Sequence, residues 1–154
     1  MMHFGVCVGL PHAREALAAG FEFVEIPAQV FKGTDDIYDA DTTKGIPTPV
    51  TNFFFPGGMK LFGPERGAYT DYARKVLDRA AKSGVKVMVI GSGSTRRAPD
   101  GYNEDAAFDS FIEIVAEMEK RAKKMGIHLA PESLTRADTN VGNDLAILAK
   151  ALKS

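Results

Sequence analysis

The chain has 154 residues, 45% hydrophobic and 25% charged, with a formal net charge of −1. This composition describes one folded domain rather than a disordered or fibrous chain. Lys and Arg are interleaved with Asp and Glu, which leaves no basic footprint for nucleic acid or an anionic membrane. No basic-then-apolar leader and no run of about 18 apolar residues is read in the chain, so the expected setting is cytoplasmic. The lone cysteine, Cys7, has no partner for an internal disulfide and is expected to pack as an inert thiol.

Taken in chain order, the first strand is expected over residues 3–8. Gly20 then ends a short helix and precedes Phe21-Glu22-Phe23-Val24-Glu25-Ile26, a second strand. Gly45 precedes a third over residues 46–55, Gly84 a fourth over 85–90, and Gly126 a fifth over 127–130. Glycine suits each junction because the residue after a helix often takes a left-handed conformation, which a Cβ penalises. Between these runs, Tyr72, Ala73, Val76, Leu77 and Ala80 recur at helical spacing, as do Phe108, Phe111, Ile112, Val115, Met118, Ala122 and Met125. Asn103 with Glu104 and Asp105 forms a helix N-terminus by side-chain acceptor and negative charge. Residues 31–41 lack apolar periodicity, so a loop with mobility is expected there. Strands alternating with amphipathic helices predict a single α/β domain over 1–154 with a parallel sheet of about five strands.

Three stretches carry a resemblance. They are Gly45-Ile46-Pro47 into Asn52-Phe53-Phe54-Phe55-Pro56-Gly57, then Gly91-Ser92-Gly93-Ser94-Thr95-Arg96 with Pro99-Asp100-Gly101, and finally Glu132-Ser133-Leu134-Thr135-Arg136-Ala137-Asp138-Thr139-Asn140. In order and spacing they resemble the sugar phosphate isomerase/epimerase family of xylose isomerase-like TIM barrels. The resemblance implies a partial barrel with strands in sequential order, holding the first five of the family's eight βα units. It also implies metal-dependent proton transfer next to the carbonyl of a ketose or ketose phosphate. In the family a divalent metal (Mn, Mg or Co) is held by a Glu after strand five and by ligands after strands six, seven and eight; only the first has a counterpart, Glu132. Activity is therefore expected to be impaired. The alternative is a non-catalytic truncated barrel that assembles as a homo-oligomer and binds a small polyol.

By that resemblance Glu132 is the candidate catalytic base and metal ligand, and Glu25, Arg96, Arg136 and Asp138 are candidate substrate contacts. Asp138 stands where the family usually has a Glu, one methylene longer. Each candidate has a plainer rival. Glu132 also reads as a cap or loop carboxylate, Glu25 as a solvated strand-end charge, Arg136 as half of a surface ion pair, and Arg96 as part of a structural turn. His128 and His3 read as hydrogen-bonded core or interface imidazoles, and His12 as solvent-exposed. The run Gly91 to Arg97 lacks the ending of a phosphate loop and the full spacing of a dinucleotide fingerprint, though a flavodoxin-like strand order 2-1-3-4-5 would revive a phosphate-binding reading. The related metal endonucleases of this superfamily need several more His ligands and a basic surface, and the chain has neither. Five strands cannot close a barrel, so a second copy, most simply in a two-fold dimer, is expected to cover the inward face and the edges at strands one and five.

Overall fold

The computed structural model describes residues 2–33, 43–63 and 67–153. Its centre is one sheet of five parallel strands in the order β1-β2-β3-β4-β5. They are β1 (Gly5–Cys7), β2 (Phe23–Pro27), β3 (Val50–Asn52), β4 (Val87–Ile90) and β5 (His128–Pro131). Sequential neighbours are what a barrel wall requires, and the flavodoxin-like order is excluded. Five helices accompany them: α1 (Ala13–Ala18), α2 (Ala68–Lys82), α3 (Gly93–Arg96), α4 (Glu104–Lys124) and α5 (Leu145–Ala151). Single 3-10 turns lie at Leu10–His12 and Ala28–Phe31. The mobility expected over residues 31–41 falls largely on 34–42, outside the described residues.

The glycine junctions behave as the sequence predicts: Gly20, Gly45, Gly84 and Gly126 all have positive φ. Helix α4 opens on Asn103, whose side chain accepts from the Ala106 N–H, and carries Glu104 and Asp105 in its first turn. Its apolar stripe buries Ala107, Phe111, Ile114, Val115, Met118 and Ala122. Helix α2 buries Tyr72, Ala73, Val76, Leu77 and Ala80 from the stripe read in sequence. The two helices are joined by Arg121, whose Nη2 donates to both carboxylate oxygens of Asp78 at 2.9 Å. The Tyr72 hydroxyl donates to the Phe54 carbonyl, and burial pushes its pKa well above the ordinary value.

Only one face of the sheet is roofed by these helices. Side chains alternate along a strand, and Val24, Ile26, Thr51, Met88 and Ile90 are all fully buried against the helix layer. The intervening residues point the other way. Register places Cys7, Glu25, Val50, Val87 and His128 in one row across all five strands. None of that row is buried.

This geometry corrects several expectations. Strand three is shorter than read, because Phe53 turns left-handed (φ 43°) and ends it after Asn52. Phe54 and Phe55 are buried, but Phe53 is 57% exposed. Cys7 is exposed rather than packed, with its sulfur accepting from Asn52 Nδ2. His128 is no core imidazole, since it stands exposed in the uncovered row. His3 is exposed too and pairs with Glu22, Nδ1 to Oε2 at 2.6 Å. His12 is exposed as expected, near Glu15 at 3.6 Å.

Candidate active site at the strand ends

At the C-terminal ends of the strands, on the unroofed side, lies a cleft of about 1130 Å³. Its wall includes Glu25, Asn52, Phe53, Gly91, Glu132 and Asp138. Glu132 arrives there because it follows β5 directly and its backbone is held at both ends. Its N–H donates to the Ile90 carbonyl at 3.2 Å, and its carbonyl accepts from Arg96 Nη1 at 2.8 Å. The carboxylate then folds across Gly91, where a Cβ would meet Oε2 at 2.5 Å. A larger residue at 91 would therefore displace the Glu132 carboxylate, a coupling that the Gly-rich reading of the loop did not anticipate.

Arg96 lies beneath this surface rather than in it. It is 1% exposed, its guanidinium sits 4.8 Å from the Phe111 ring centroid, and Nη1 also donates to the Ile90 carbonyl. Burial lowers its pKa to about 10, and the Glu132 charge opposes that shift. The cation remains charged at neutral pH, with Nε and Nη2 lacking protein partners. Its geometry is that of an anchor, tying the ends of β4 and β5 together through their carbonyls.

The β4–α3 turn that brings Arg96 inward is itself strained. Ser92 is left-handed (φ 47°, ψ 56°), a conformation costing a non-glycine residue about 1 kcal/mol or more. Its hydroxyl offsets the cost by accepting from the Phe55 N–H at 3.0 Å and donating to the Phe55 carbonyl at 3.2 Å. Gln29 Nε2 donates to the Phe53 and Phe55 carbonyls from the other side. Together these bonds fix the aromatic wall, and Phe53 presents its exposed ring at the cleft.

Asp138 reaches the cleft through a tight turn, accepting from the Thr135 hydroxyl at 2.7 Å. Gly93 lets it in, since a Cβ there would lie 2.8 Å from the Asp138 carbonyl. Arg136 does not join it. Its Nη1 lies 3.1 Å from Glu104 Oε2 on an exposed surface, beside a separate cleft with Asn140 and Asn143. The structure therefore gathers Glu25, Glu132 and Asp138 and leaves Arg96 and Arg136 outside the lining. Polar residues not put forward as candidates from the sequence also line it, among them Gln29, Asn52, Lys60 and Arg97. Asn52 was legible by period-two alternation, sharing the face of Val50 and hence of Glu25. Lys60, Gln29 and Arg97 come from irregular segments, where no periodicity announces direction.

Among the described residues no group of three or more His, Cys, Asp or Glu side chains is placed to hold a metal ion. Glu132 would be a single donor, too few for the oxygen-rich shells of Mg²⁺ or the mixed sets of transition ions. The residues present do not by themselves fit a divalent cation.

Comparison with known proteins accords with this architecture. The family described as xylose isomerase-like TIM barrel matches residues 13–154. A search of curated protein sequences returns no match. Among solved structures, a D-psicose 3-epimerase crystallised with D-fructose superposes with TM-score 0.78 at 18% identity, covering 98% of this chain and 60% of its own. D-psicose 3-epimerase from Clostridium cellulolyticum H10, with D-tagatose, gives 0.78 at 16% identity, covering 99% and 59%. An AP endonuclease of family 2 from Brucella melitensis gives 0.72 at 18%, covering 99% and 64%. The chain thus spans about three-fifths of the length of these structures. With five sequential parallel strands, a carboxylate at the end of the fifth and a family match over almost its whole length, the chain belongs to the xylose isomerase-like TIM barrel family.

Proposed function

We propose that the chain carries one wall of a sugar or sugar-phosphate isomerase/epimerase site, in which Glu132 moves a proton at the carbon beside the carbonyl of a ketose. The observation that supports this most is the placement of Glu132. It stands at the C-terminal end of a parallel strand, where barrel enzymes keep their chemistry, with its carboxylate turned over Gly91 into a cleft. A proton-transfer base must reach its carbon directly, and a carboxylate on a strand end anchored by two backbone hydrogen bonds is held for that task. Glu25 and Asp138 accept from sugar hydroxyls, Lys60 and Arg97 supply positive charge for a phosphate or an oxyanion, and the exposed Phe53 ring offers an apolar surface to sugar C–H groups.

Epimerisation needs a base on each face of the sugar, and this chain supplies a candidate for one. A cleft of about 1130 Å³ open on one side exceeds the roughly 300–1,000 Å³ usual for small-molecule sites. The reading is therefore of a site that is impaired until further strands close it, whether these belong to a longer chain containing these residues or to a second copy. A family-type divalent metal (Mn, Mg or Co) would likewise need donors from that completing part. A cytoplasmic setting accords with the single thiol, and no helix among the described residues is long and apolar enough to cross a membrane.

A second reading is favoured by the uncovered row itself: a non-catalytic partial barrel that assembles as a homo-oligomer and binds a small polyol. Turnover of a ketose panel, with and without added Mn²⁺, Mg²⁺ or Co²⁺, separates the two. Epimerisation that disappears in Glu132→Gln supports the first. Polyol binding without turnover by an assembled, folded protein supports the second and contradicts the first.

A further inference from the structure

Among the described residues two non-glycine residues have positive φ, Ser92 and Phe53, and a bulky side chain in that region is an outlier. Alternation along β3 sends Thr51 to the buried, roofed face and Asn52 to the cleft, so Phe53 is due back on the roofed face. Its φ of 43° reverses this. The ring leaves the core and lines the cleft at 57% exposure, while Phe54 takes the fully buried position. Left-handed backbone and exposed ring both work against stability. The surroundings nevertheless enforce them. Three successive carbonyls accept side-chain hydrogen bonds: Phe53 from Gln29 Nε2 at 3.2 Å, Phe54 from the Tyr72 hydroxyl at 2.6 Å, and Phe55 from Gln29 Nε2 at 3.0 Å and the Ser92 hydroxyl at 3.2 Å. Gln29 follows β2 and Ser92 follows β4, so neighbours within this chain aim the ring, whatever completes the barrel.

We infer that Phe53 is a specificity-determining residue of the cleft: its ring takes the C–H face of the ketose tail, carbons 5 and 6, while Glu132 faces the carbons beside the carbonyl. The inference rests on the reading of Glu132 as the proton-transfer base and adds which end of the sugar lies at which strand. Strand order sets the spacing. With β4 between them, the ends of β3 and β5 stand two strand spacings apart, roughly 9.6 Å. The Glu132 carboxylate leans back over Gly91 at the end of β4, which shortens its distance to β3. The gap left between carboxylate and ring is on the order of 5–10 Å, so one hexose places its reacting carbons at one wall and its tail at the other. An aromatic face attracts C–H groups by dispersion and by its negative quadrupole, and it leaves the hydroxyls at the sugar's edge for polar partners. Local strain that persists only because its surroundings over-determine it is a mark of such positioning.

Three variants separate strain from recognition. Phe53→Ala and Phe53→Gly both remove the ring, but only glycine relieves the left-handed backbone. At an ordinary strand position alanine is the more stable of the two; here Phe53→Gly is expected to melt above Phe53→Ala by roughly 2–4 °C. Recognition is read by saturation-transfer NMR with D-fructose, irradiating the aromatic protons. Wild type and Phe53→Tyr are expected to pass saturation most strongly to the protons on carbons 5 and 6, and both ring-less variants to lose most of that transfer. Undiminished transfer in Phe53→Ala, transfer centred on carbons 1 to 3, no transfer in wild type, or Phe53→Ala melting above Phe53→Gly would each overturn the inference. So would a change in mass by light scattering in Phe53→Ala with transfer intact, which would assign the ring to contact between copies. A protein that binds the tail through Phe53 yet leaves ketoses unchanged contradicts the proton-transfer reading alone. One that turns ketoses over with full transfer in Phe53→Ala contradicts this inference alone.

Discussion

The two faces of the sheet are made by the same strands and obey different rules. On the roofed face Val24, Ile26, Met88 and Ile90 are fully buried, and each contributes on the order of 1.5–3 kcal/mol by leaving water. On the unroofed face their sequence neighbours Glu25, Val87 and Val89, with His128 paired beside Val87, stay partly or wholly in solvent. The first face specifies the fold, and the second holds the groups that do chemistry. Alternation, which would otherwise give an aqueous and an apolar side, here separates stability from function.

Substitutions break this comparison in a graded way. The largest loss is expected from Phe111→Ala, which opens a cavity on the roofed side and removes the ring under Arg96: about 3–5 kcal/mol by chemical denaturation. Gly91→Ala comes next. It leaves the roofed side alone but pushes the Glu132 carboxylate off its seat, since the new Cβ would stand 2.5 Å from Oε2. Ketose turnover, where measured, is expected to fall roughly hundredfold, the usual consequence of misplacing a reacting group by about 1 Å, with a stability change under about 1 kcal/mol.

Val89→Ser sharpens the contrast, because Val89 and Met88 are adjacent in sequence and opposite in space. In the separated protomer it is expected to cost less than about 1 kcal/mol, against about 2–5 kcal/mol for Met88→Ala. A concentration-dependent loss at Val89 would show that a second copy covers the face. The smallest effect belongs to His3 and Glu22. The His3 hydrogen bond holds the Glu22 pKa below its ordinary value of 4.5, so its contribution is present above that pH and lost as pH falls through the lowered value. His3→Ala is expected to remove that contribution at all pH values above about 4.5 and so to flatten the pH dependence in the acidic window, by an amount small for an exposed pair.

Much of the roofed side was legible in the sequence, because burial against helices imposes periodicities: the stripe of α4, the cap at Asn103 and the glycine ends of α1, α2 and α4 all follow local rules. The unroofed side was less so. Cys7 and His128 were read as interior because their neighbours are apolar, but alternation says only that they share a face, not whether anything covers it. The carboxylates were found through resemblance. Arg96 shows the limit of that route: its motif position suggested a substrate contact, yet the four-residue helical turn after the left-handed Ser92 carries it inward onto Phe111. Lys60 and Arg97 entered the cleft from loops whose direction depends on contacts distant in sequence, such as the bond from Arg97 Nη2 to the Ala137 carbonyl.

The account rests on the unroofed face needing a cover before the site can work. The most direct test is the mass of the purified chain in solution by light scattering, across concentrations at neutral pH. A discrete assembly of two or more copies, with Val87 and Val89 protected from solvent, is the expected result. A monodisperse monomer that turns over a ketose at full efficiency, its open face still solvated, would contradict it.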